Sequence, residues 1–151
     1  MRRIALAIFM ALALSLAPWT PAFGATKTLV RFTDCIVSQD APDRSWVSGG
    51  KILHVRGQTI RTEVSGDLTG TFTLDFNLIQ NLETGKGTHF GSFVQVSPID
   101  TWEGHFGGKI DANGISGLLV GQGETTKIMG TFAQSSPVCF ENKAIILGPH
   151  G

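Results

Sequence analysis

The sequence contains no tyrosine, only two cysteines and no excess of positive charge. Its twelve lysines and arginines are matched by twelve aspartates and glutamates, which argues against a nucleic-acid-binding surface. No Gly-x-Ser-x-Gly segment is present, so the nucleophile elbow of the α/β-hydrolases is excluded. The histidines are His54, His89, His105 and His150. None lies two or four residues from another, so we predict neither a cofactor nor a metal, leaving open only a metal site assembled across strands.

Long apolar runs are also missing, apart from one near the N-terminus. There, Arg2-Arg3 precedes the apolar stretch Ile4–Ala17, and Ala22-Phe23-Gly24 offers small residues where a signal peptidase cleaves. A membrane anchor is the alternative, but roughly 14 apolar residues fall short of the ~20 that span a bilayer. The pattern predicts a signal peptide over residues 1–24, export to the periplasm or the extracellular medium, and no membrane insertion after cleavage.

The two cysteines, Cys35 and Cys139, lie near opposite ends of the remaining residues 25–151, which suffice for one domain. In an exported protein such a pair is most simply a disulfide. A redox or metal-binding thiol pair is the alternative, but it lacks the C-x-x-C spacing and neighbouring ligands. A disulfide between these positions predicts that the first and last strands lie side by side, as they do in a closed barrel.

Alternating apolar and polar residues predict strands throughout the domain and no helix. We predict eight or nine antiparallel strands: Thr28–Val37, Lys51–Arg56, Thr59–Val64, Leu68–Leu78, Thr88–Val96, Thr101–Ile110, Ile115–Gln122, Lys127–Gln134 and Lys143–Leu147. The polar segment Ser38–Gly50 is predicted to be a loop from which Trp46 docks back onto the barrel. Such regular strands are typical of a barrel or a sandwich. An outer-membrane barrel is a further alternative, but the absence of tyrosine argues against its aromatic girdles.

A short pattern of glycine, a polar residue and phenylalanine recurs in these strands and favours the barrel. Its copies are Gly70-Thr71-Phe72, Gly91-Ser92-Phe93, Gly104-His105-Phe106 and Gly130-Thr131-Phe132. Glycines inside strands mark bends and close backbone approaches, which a sheet needs in order to curl. The predicted fold is therefore all-β, a single antiparallel eight-stranded barrel.

Three motifs stand out between Gly66 and Phe132: Gly121-Gln122-Gly123 followed by Gly130, Gly70-Thr71-Phe72-Thr73, and Thr101-Trp102-Glu103-Gly104-His105-Phe106. Through these motifs the region resembles the allene oxide cyclase and dirigent barrel superfamily, so a barrel of allene oxide cyclase or lipocalin shape is expected. The resemblance implies an eight-stranded antiparallel barrel with a pocket. Thr125-Thr126 and Ile128-Met129 replace the phenylalanine and the alanine-arginine pair usual in that family. No residue matches its catalytic carboxylate, so the resemblance does not imply cyclase or coupling activity.

Candidate site residues fall on both faces of the predicted strands. Asp75, Glu103 and His105 are the best acid–base set, but they share the face opposite the phenylalanines, where solvated charges are the alternative interpretation. The predicted ligand-binding residues are aromatic: Phe72, Phe76, Phe90, Trp102, Phe106 and Phe132. Plain core packing is the alternative for these rings, because an eight-stranded barrel is only just wide enough to hold one small ligand.

These residues lead to three functional hypotheses. The first is a non-catalytic module that binds a small apolar molecule in the barrel, because the aromatic set is large and no catalytic constellation accompanies it. The second is a cofactor-free isomerase or cyclase that uses Asp75 or Glu103 as acid or base. The third is a structural or partner-binding envelope protein. The sequence leaves the oligomeric state undetermined.

Overall fold

The computed structural model describes residues 26–148 and contains nine strands. They are β1 (Lys27–Gln39), β2 (Arg44–Ser48), β3 (Ile52–Gly66), β4 (Gly70–Asn81), β5 (Gly87–Val96), β6 (Thr101–Asp111), β7 (Gly114–Gln122), β8 (Lys127–Gln134) and β9 (Cys139–Leu147). No helix in this range is long and apolar enough to cross a membrane. The predicted signal peptide lies outside the described residues.

Eight of the strands form a closed antiparallel barrel. From β3 to β9 each strand pairs with the next, and β9 pairs with β1 from Cys35↔Cys139 to Lys27↔Leu147. The barrel closes because β1 also pairs with the second half of β3, from Gln39↔Ile60 to Phe32↔Gly66. The ends of the described chain are therefore neighbours, and the Gly148 amide donates a hydrogen bond to the Thr26 carbonyl over 2.9 Å. The predicted eight-stranded barrel is confirmed.

The predicted loop over Ser38–Gly50 is wrong in two respects. Strand β1 continues to Gln39, and Arg44–Ser48 forms the short strand β2. Strand β1 pairs only with the second half of β3. It leaves one edge of the first half without a neighbouring strand, and β2 pairs at that edge. Trp46 stands opposite His54 and stacks on its ring with a centroid distance of 4.6 Å. The predicted docking of Trp46 is thus observed, but from a strand.

Strand β3 is one element, whereas the sequence predicts two strands, Lys51–Arg56 and Thr59–Val64, joined at Gly57-Gln58. Its pairing with β4 shifts between Val55 and Gln58, which is a bulge and not a reversal. Gly57 sits at this bulge with φ +64°, a left-handed conformation that glycine adopts without strain. The chain therefore bends there but continues in the same direction.

Repeated glycines allow the sheet to curl, as the pattern of glycine and phenylalanine predicts. At Gly91 an added Cβ would stand 1.8 Å from the Asp75 carbonyl oxygen and 2.8 Å from the Phe106 ring. Both neighbours belong to adjacent strands, so only glycine allows this close approach. The repeat thus reports the curvature of the barrel.

The apolar core fills one end of the barrel. It is formed by Val30, Phe32, Val64, Leu68, Phe72, Phe93, Trp102, Leu119, Ile128, Ala144 and Ile146. Trp102 is fully buried, and its indole Nε1 donates a hydrogen bond to Thr126 Oγ1 over 2.7 Å. Apart from Leu68, which lies between β3 and β4, these residues come from the strand ends that meet at this side, namely the starts of β1, β4, β6 and β8 and the ends of β3, β5, β7 and β9. We call this the packed end.

Asp100 holds the turn between β7 and β8, which lies at the packed end. Its carboxylate accepts hydrogen bonds from the backbone amides of Thr125 and Thr126, at 3.0 and 2.9 Å, and from the Thr126 hydroxyl at 2.8 Å. Partial desolvation raises the pKa of Asp100, but hydrogen bonds from Thr125, Thr126 and Thr101 outweigh this effect and hold the pKa well below its ordinary value. The same hydroxyl that bonds Trp102 is thereby fixed in place.

Candidate functional site

A cavity of about 280 Å³ occupies the other end of the barrel. Its walls combine apolar and uncharged polar side chains with two ionisable groups: Asp34, Ile36, Gln39, Gln58, Ile60, Thr62, Phe72, Leu74, Phe76, His89, Phe93, Phe106, Ile115, Leu119, Phe132, Gln134, Pro137, Val138, Phe140 and Asn142. Gln39, Pro137 and Val138 are exposed, so they form the rim of the cavity. The volume suits a ligand smaller than drug-sized molecules, whose pockets span about 300–1,000 Å³.

Phenylalanine rings form most of the apolar wall. Four predicted ligand-binding residues line the cavity, namely Phe72, Phe76, Phe106 and Phe132. The rings of Phe76 and Phe106 are stacked with their centroids 6.2 Å apart, and those of Phe106 and Phe132 meet edge to face with their centroids 6.3 Å apart. Such spacing is normal for favourable aromatic pairs. Phe93 and Phe140 also line the cavity, and sequence reasoning missed them.

The other two predicted aromatic residues lie elsewhere. Trp102 does not line the cavity, because it is part of the packed end. Phe90 is 42% exposed on the outer surface, where the Arg56 guanidinium lies 5.1 Å from its ring centroid. Successive residues of a strand point to opposite faces, and the preceding His89 points inward. The prediction that Phe90 lines the interior is therefore corrected.

The predicted acid–base residues Asp75, Glu103 and His105 are all exposed on the outer face. Asp75 and His105 stand on either side of Ser92 in the strand pairing, two strands apart. Glu103 and His105 border a depression of the outer surface together with Ser92 and Lys127. The structure thus places none of the three at the cavity, and a substrate bound inside the barrel would not reach them.

Asp34 is a carboxyl group inside the barrel that the sequence analysis did not select. It is 7% exposed, and the side-chain amide of Asn142 donates a hydrogen bond to its Oδ1 over 2.5 Å. Burial raises the pKa of Asp34 from 3.8 to about 6, and the Asn142 hydrogen bond opposes this shift only in part. The nearby Thr62 hydroxyl also favours the charged form, although it makes no hydrogen bond of good geometry to any described residue.

His89 is the second ionisable group in the cavity wall. It is 2% exposed, and its Nε2 lies 3.0 Å from the Ser116 carbonyl oxygen. Since a carbonyl only accepts, this hydrogen bond assigns the proton to Nε2 and leaves Nδ1 as an acceptor with no partner among the described residues. Burial lowers the pKa of His89, while the Ser116 carbonyl raises it to a smaller extent. The imidazole is therefore neutral at physiological pH.

The disulfide between Cys35 and Cys139 is present and fixes the rim of the cavity. Cys35 lies between the cavity residues Asp34 and Ile36, and Cys139 directly follows Val138. The Ile36 amide also donates a hydrogen bond to the Val138 carbonyl over 2.7 Å. The disulfide thus holds Asp34 and the rim segment together. Its presence is consistent with an oxidising compartment.

Within residues 26–148, no three His, Cys, Asp or Glu side chains are close enough together to hold a metal ion. Comparison of the chain with protein-family models, with curated proteins and with solved structures finds no match. The resemblance to the allene oxide cyclase and dirigent barrels therefore stays a prediction.

Proposed function

We propose that the protein is a non-catalytic binding module that takes a small, largely apolar molecule into its barrel. The observation that carries this proposal is the cavity itself, which has a volume of about 280 Å³ and a wall built largely of phenylalanine and aliphatic side chains. Pockets that bind small molecules are typically concave, mostly apolar and equipped with a few polar groups that orient the ligand. Asp34, Thr62 and Asn142 supply such groups.

Thermal denaturation with small ring compounds such as toluene, indane and cyclohexanol tests this proposal. A ligand at ten times its Kd stabilises the folded state by about 1.4 kcal/mol, which should raise Tm by roughly 5 °C. Substituting a bulkier side chain at the cavity wall, Ile115→Trp, should abolish the rise. Leu118→Trp is the matched control, because Leu118 lies on the same strand but is exposed on the outer face.

Two results would contradict the binding proposal. One is an unchanged Tm of the wild-type protein with every compound of the panel. The other is a rise that persists in the Ile115→Trp variant, since binding would then occur outside the cavity. If this variant does not fold, Ile115→Phe fills less of the cavity and should weaken binding without abolishing it.

We also propose that the protein works in the periplasm or the extracellular medium. The disulfide and the predicted signal peptide over residues 1–24 support this location. Cell fractionation followed by N-terminal sequencing tests it. The exported protein should begin at Ala25, whereas an intact N-terminus on a cytoplasmic protein would contradict the proposal.

A second candidate function is a cofactor-free isomerase or cyclase, and Asp34 is the observation that favours it. A carboxyl group with a pKa near 6 inside an apolar cavity is suited to exchange protons with a bound substrate. Its assay is NMR of small cyclic ketones in D₂O, which detects deuterium entering at the α-carbon. Catalysed exchange that disappears in Asp34→Asn would support this function, and exchange no faster than in buffer would rule it out for these ketones.

A further inference from the structure

In the described part of the chain, the cavity wall contains an acidic side chain but no lysine or arginine to neutralise it. Among the described residues that line this wall, Asp34 and His89 are the only ionisable side chains. The ion pairs found in the described chain lie on the outer surface: Lys51–Glu83, Arg61–Asp40 and Lys109–Asp111. When Asp34 is ionised, its negative charge thus has no cationic partner from these residues. Buried charges in proteins are ordinarily paired.

The hydrogen bonds of Asp34 are also incomplete. Within residues 26–148, Asn142 is the only side chain that donates a hydrogen bond of good geometry to this carboxylate, and it does so at Oδ1. An ionised carboxylate has about four acceptor positions on its two oxygens. The remaining positions are available to a hydrogen-bond donor that enters the cavity.

Other residues of the cavity wall add features that attract a positively charged group. His89 contributes an unpaired acceptor at Nδ1, since its proton is on the Nε2 that bonds Ser116. The rings of Phe76 and Phe106 lie in the same wall, and the faces of aromatic rings attract cations. The polar groups of the cavity wall that lack a complete set of partners among the described residues are therefore two acceptors, the Asp34 carboxylate and His89 Nδ1, together with the Thr62 hydroxyl, which can donate or accept.

We infer that the cavity binds a small hydrophobic amine, whose ammonium group bonds the Asp34 carboxylate and whose apolar body packs against the phenylalanine rings. This inference rests on the proposed binding function and specifies its ligand class. An ammonium group has three hydrogen-bond donors and a positive charge. It therefore supplies both the additional donors and the cationic partner that the Asp34 carboxylate lacks. A carboxylic acid of the same size would bring a second negative charge and should be rejected.

The inference predicts a pH dependence with a definite sign. The amine binds the ionised form of Asp34, which is the minor form below a pKa of about 6. The apparent affinity should therefore fall about tenfold from about pH 8 to about pH 5. His89 is the other titratable group in the cavity wall, and its protonation would also repel an amine. The remaining polar lining residues, Gln39, Gln58, Thr62, Gln134 and Asn142, are uncharged.

Calorimetry with three compounds of similar shape tests the ligand class: phenethylamine, phenethyl alcohol and phenylpropionate. At about pH 7.5 the amine should bind at least about tenfold more tightly than the alcohol, and the acid should not bind measurably. In Asp34→Asn the amine should lose this advantage, while the alcohol should bind as before. Asp75→Asn removes an exposed outer-face carboxylate and should change neither affinity.

The possible failures are distinguishable. If the alcohol binds wild-type protein as tightly as the amine, the inferred ligand class is wrong and the proposed binding function stands. If none of the three binds and the apolar panel also leaves Tm unchanged, the binding function itself fails. Asp34→Asn retains an oxygen that can accept from Asn142, so we expect it to fold. If it does not, the pH series on the wild-type protein decides, because a pH-independent affinity would overturn the inference.

Discussion

Replacing Asp34 by asparagine measures what it costs to keep a carboxyl group inside the barrel. Burial raises the pKa of Asp34 from 3.8 to about 6 in the folded protein. In the Asp34→Asn variant, Asn142 can still donate its hydrogen bond to an amide oxygen of the same shape. The substitution thus removes the charge and its desolvation cost while keeping the local hydrogen bond.

The sign and size of the effect follow from the pKa difference. The folded protein holds the proton of Asp34 more tightly than the unfolded chain does, so the stability from this group is fully present below pH 3.8 and is lost as pH rises through about 6. A difference of about 2 pKa units corresponds to about 3 kcal/mol. Because Asp34 is 7% exposed, solvent screening reduces this figure little. Relative to Asp34→Asn, the wild-type protein should lose up to about 3 kcal/mol between about pH 4 and about pH 7.

Urea denaturation of both proteins, with the disulfide intact, provides the measurement. The quantity of interest is the difference between their unfolding free energies from about pH 4 to about pH 8, since groups common to both proteins cancel. Asp75→Asn is the control, and its difference from wild type should not change with pH in this way. A wild-type minus Asp34→Asn difference that stays constant within about 0.5 kcal/mol over this range would refute a buried, perturbed carboxyl.

Three further predictions concern the rest of the barrel. Cys35→Ser combined with Cys139→Ser should lower the unfolding free energy by up to about 4 kcal/mol in urea denaturation, because the disulfide closes a loop with a sequence separation of 104; an unchanged midpoint would contradict this. Trp102→Phe should cost about 2 kcal/mol, since it removes the buried hydrogen bond to Thr126 and leaves a void, whereas a loss below about 0.5 kcal/mol would show that the bond is unimportant. Asp100→Asn should destabilise the protein at neutral pH, and the deficit should shrink as pH falls below 3.8, because the depressed pKa of Asp100 stabilises the fold only while the group is ionised. Urea denaturation at neutral pH and below pH 3.8 checks the sign of this pH dependence, which is opposite to the one expected for Asp34.

The barrel itself was predictable because its signals are local and periodic. The alternation from Leu68 to Leu78 defines a strand with one apolar face, and the glycines in register with phenylalanine indicate curvature. Strand β2 was not predictable in this way. Its segment is polar, contains Pro42 and ends at Gly49-Gly50, and it becomes a strand only because β1 leaves one edge of the first half of β3 without a neighbouring strand. This available strand edge results from how the barrel closes and cannot be recognised in the sequence of the segment itself.

The cavity was predictable in part, and the errors at Phe90 and Asp34 have a common cause. Phe76, Phe106 and Phe132 were chosen as aromatic residues, and their strand phase also points them inward. Phe90 was chosen for the same reason, although its phase is shared with exposed Ser92 and Val94. Asp34 was not selected, although it shares its strand phase with Val30, Phe32 and Ile36. Selecting residues by phase before chemical type would have excluded Phe90 and included Asp34.

Whether an inward-pointing polar residue lines the cavity or lies in the packed core depends on its position along the barrel axis. His89 and Gln95 share one phase of β5 and are both buried. Only His89 borders the cavity, because Gln95 lies beside Trp102 at the packed end. The sequence carries the direction of each side chain, but how far the core extends along the barrel depends on how side chains from eight strands meet.

Thr26 and Gly148 are joined by a backbone hydrogen bond at the packed end, on the far side of the barrel from the cavity rim. A linker attached at Thr26 or Gly148 would therefore join the barrel at the end opposite the opening of the cavity. Immobilising the barrel through these two residues should leave every cavity entrance facing the surrounding solution.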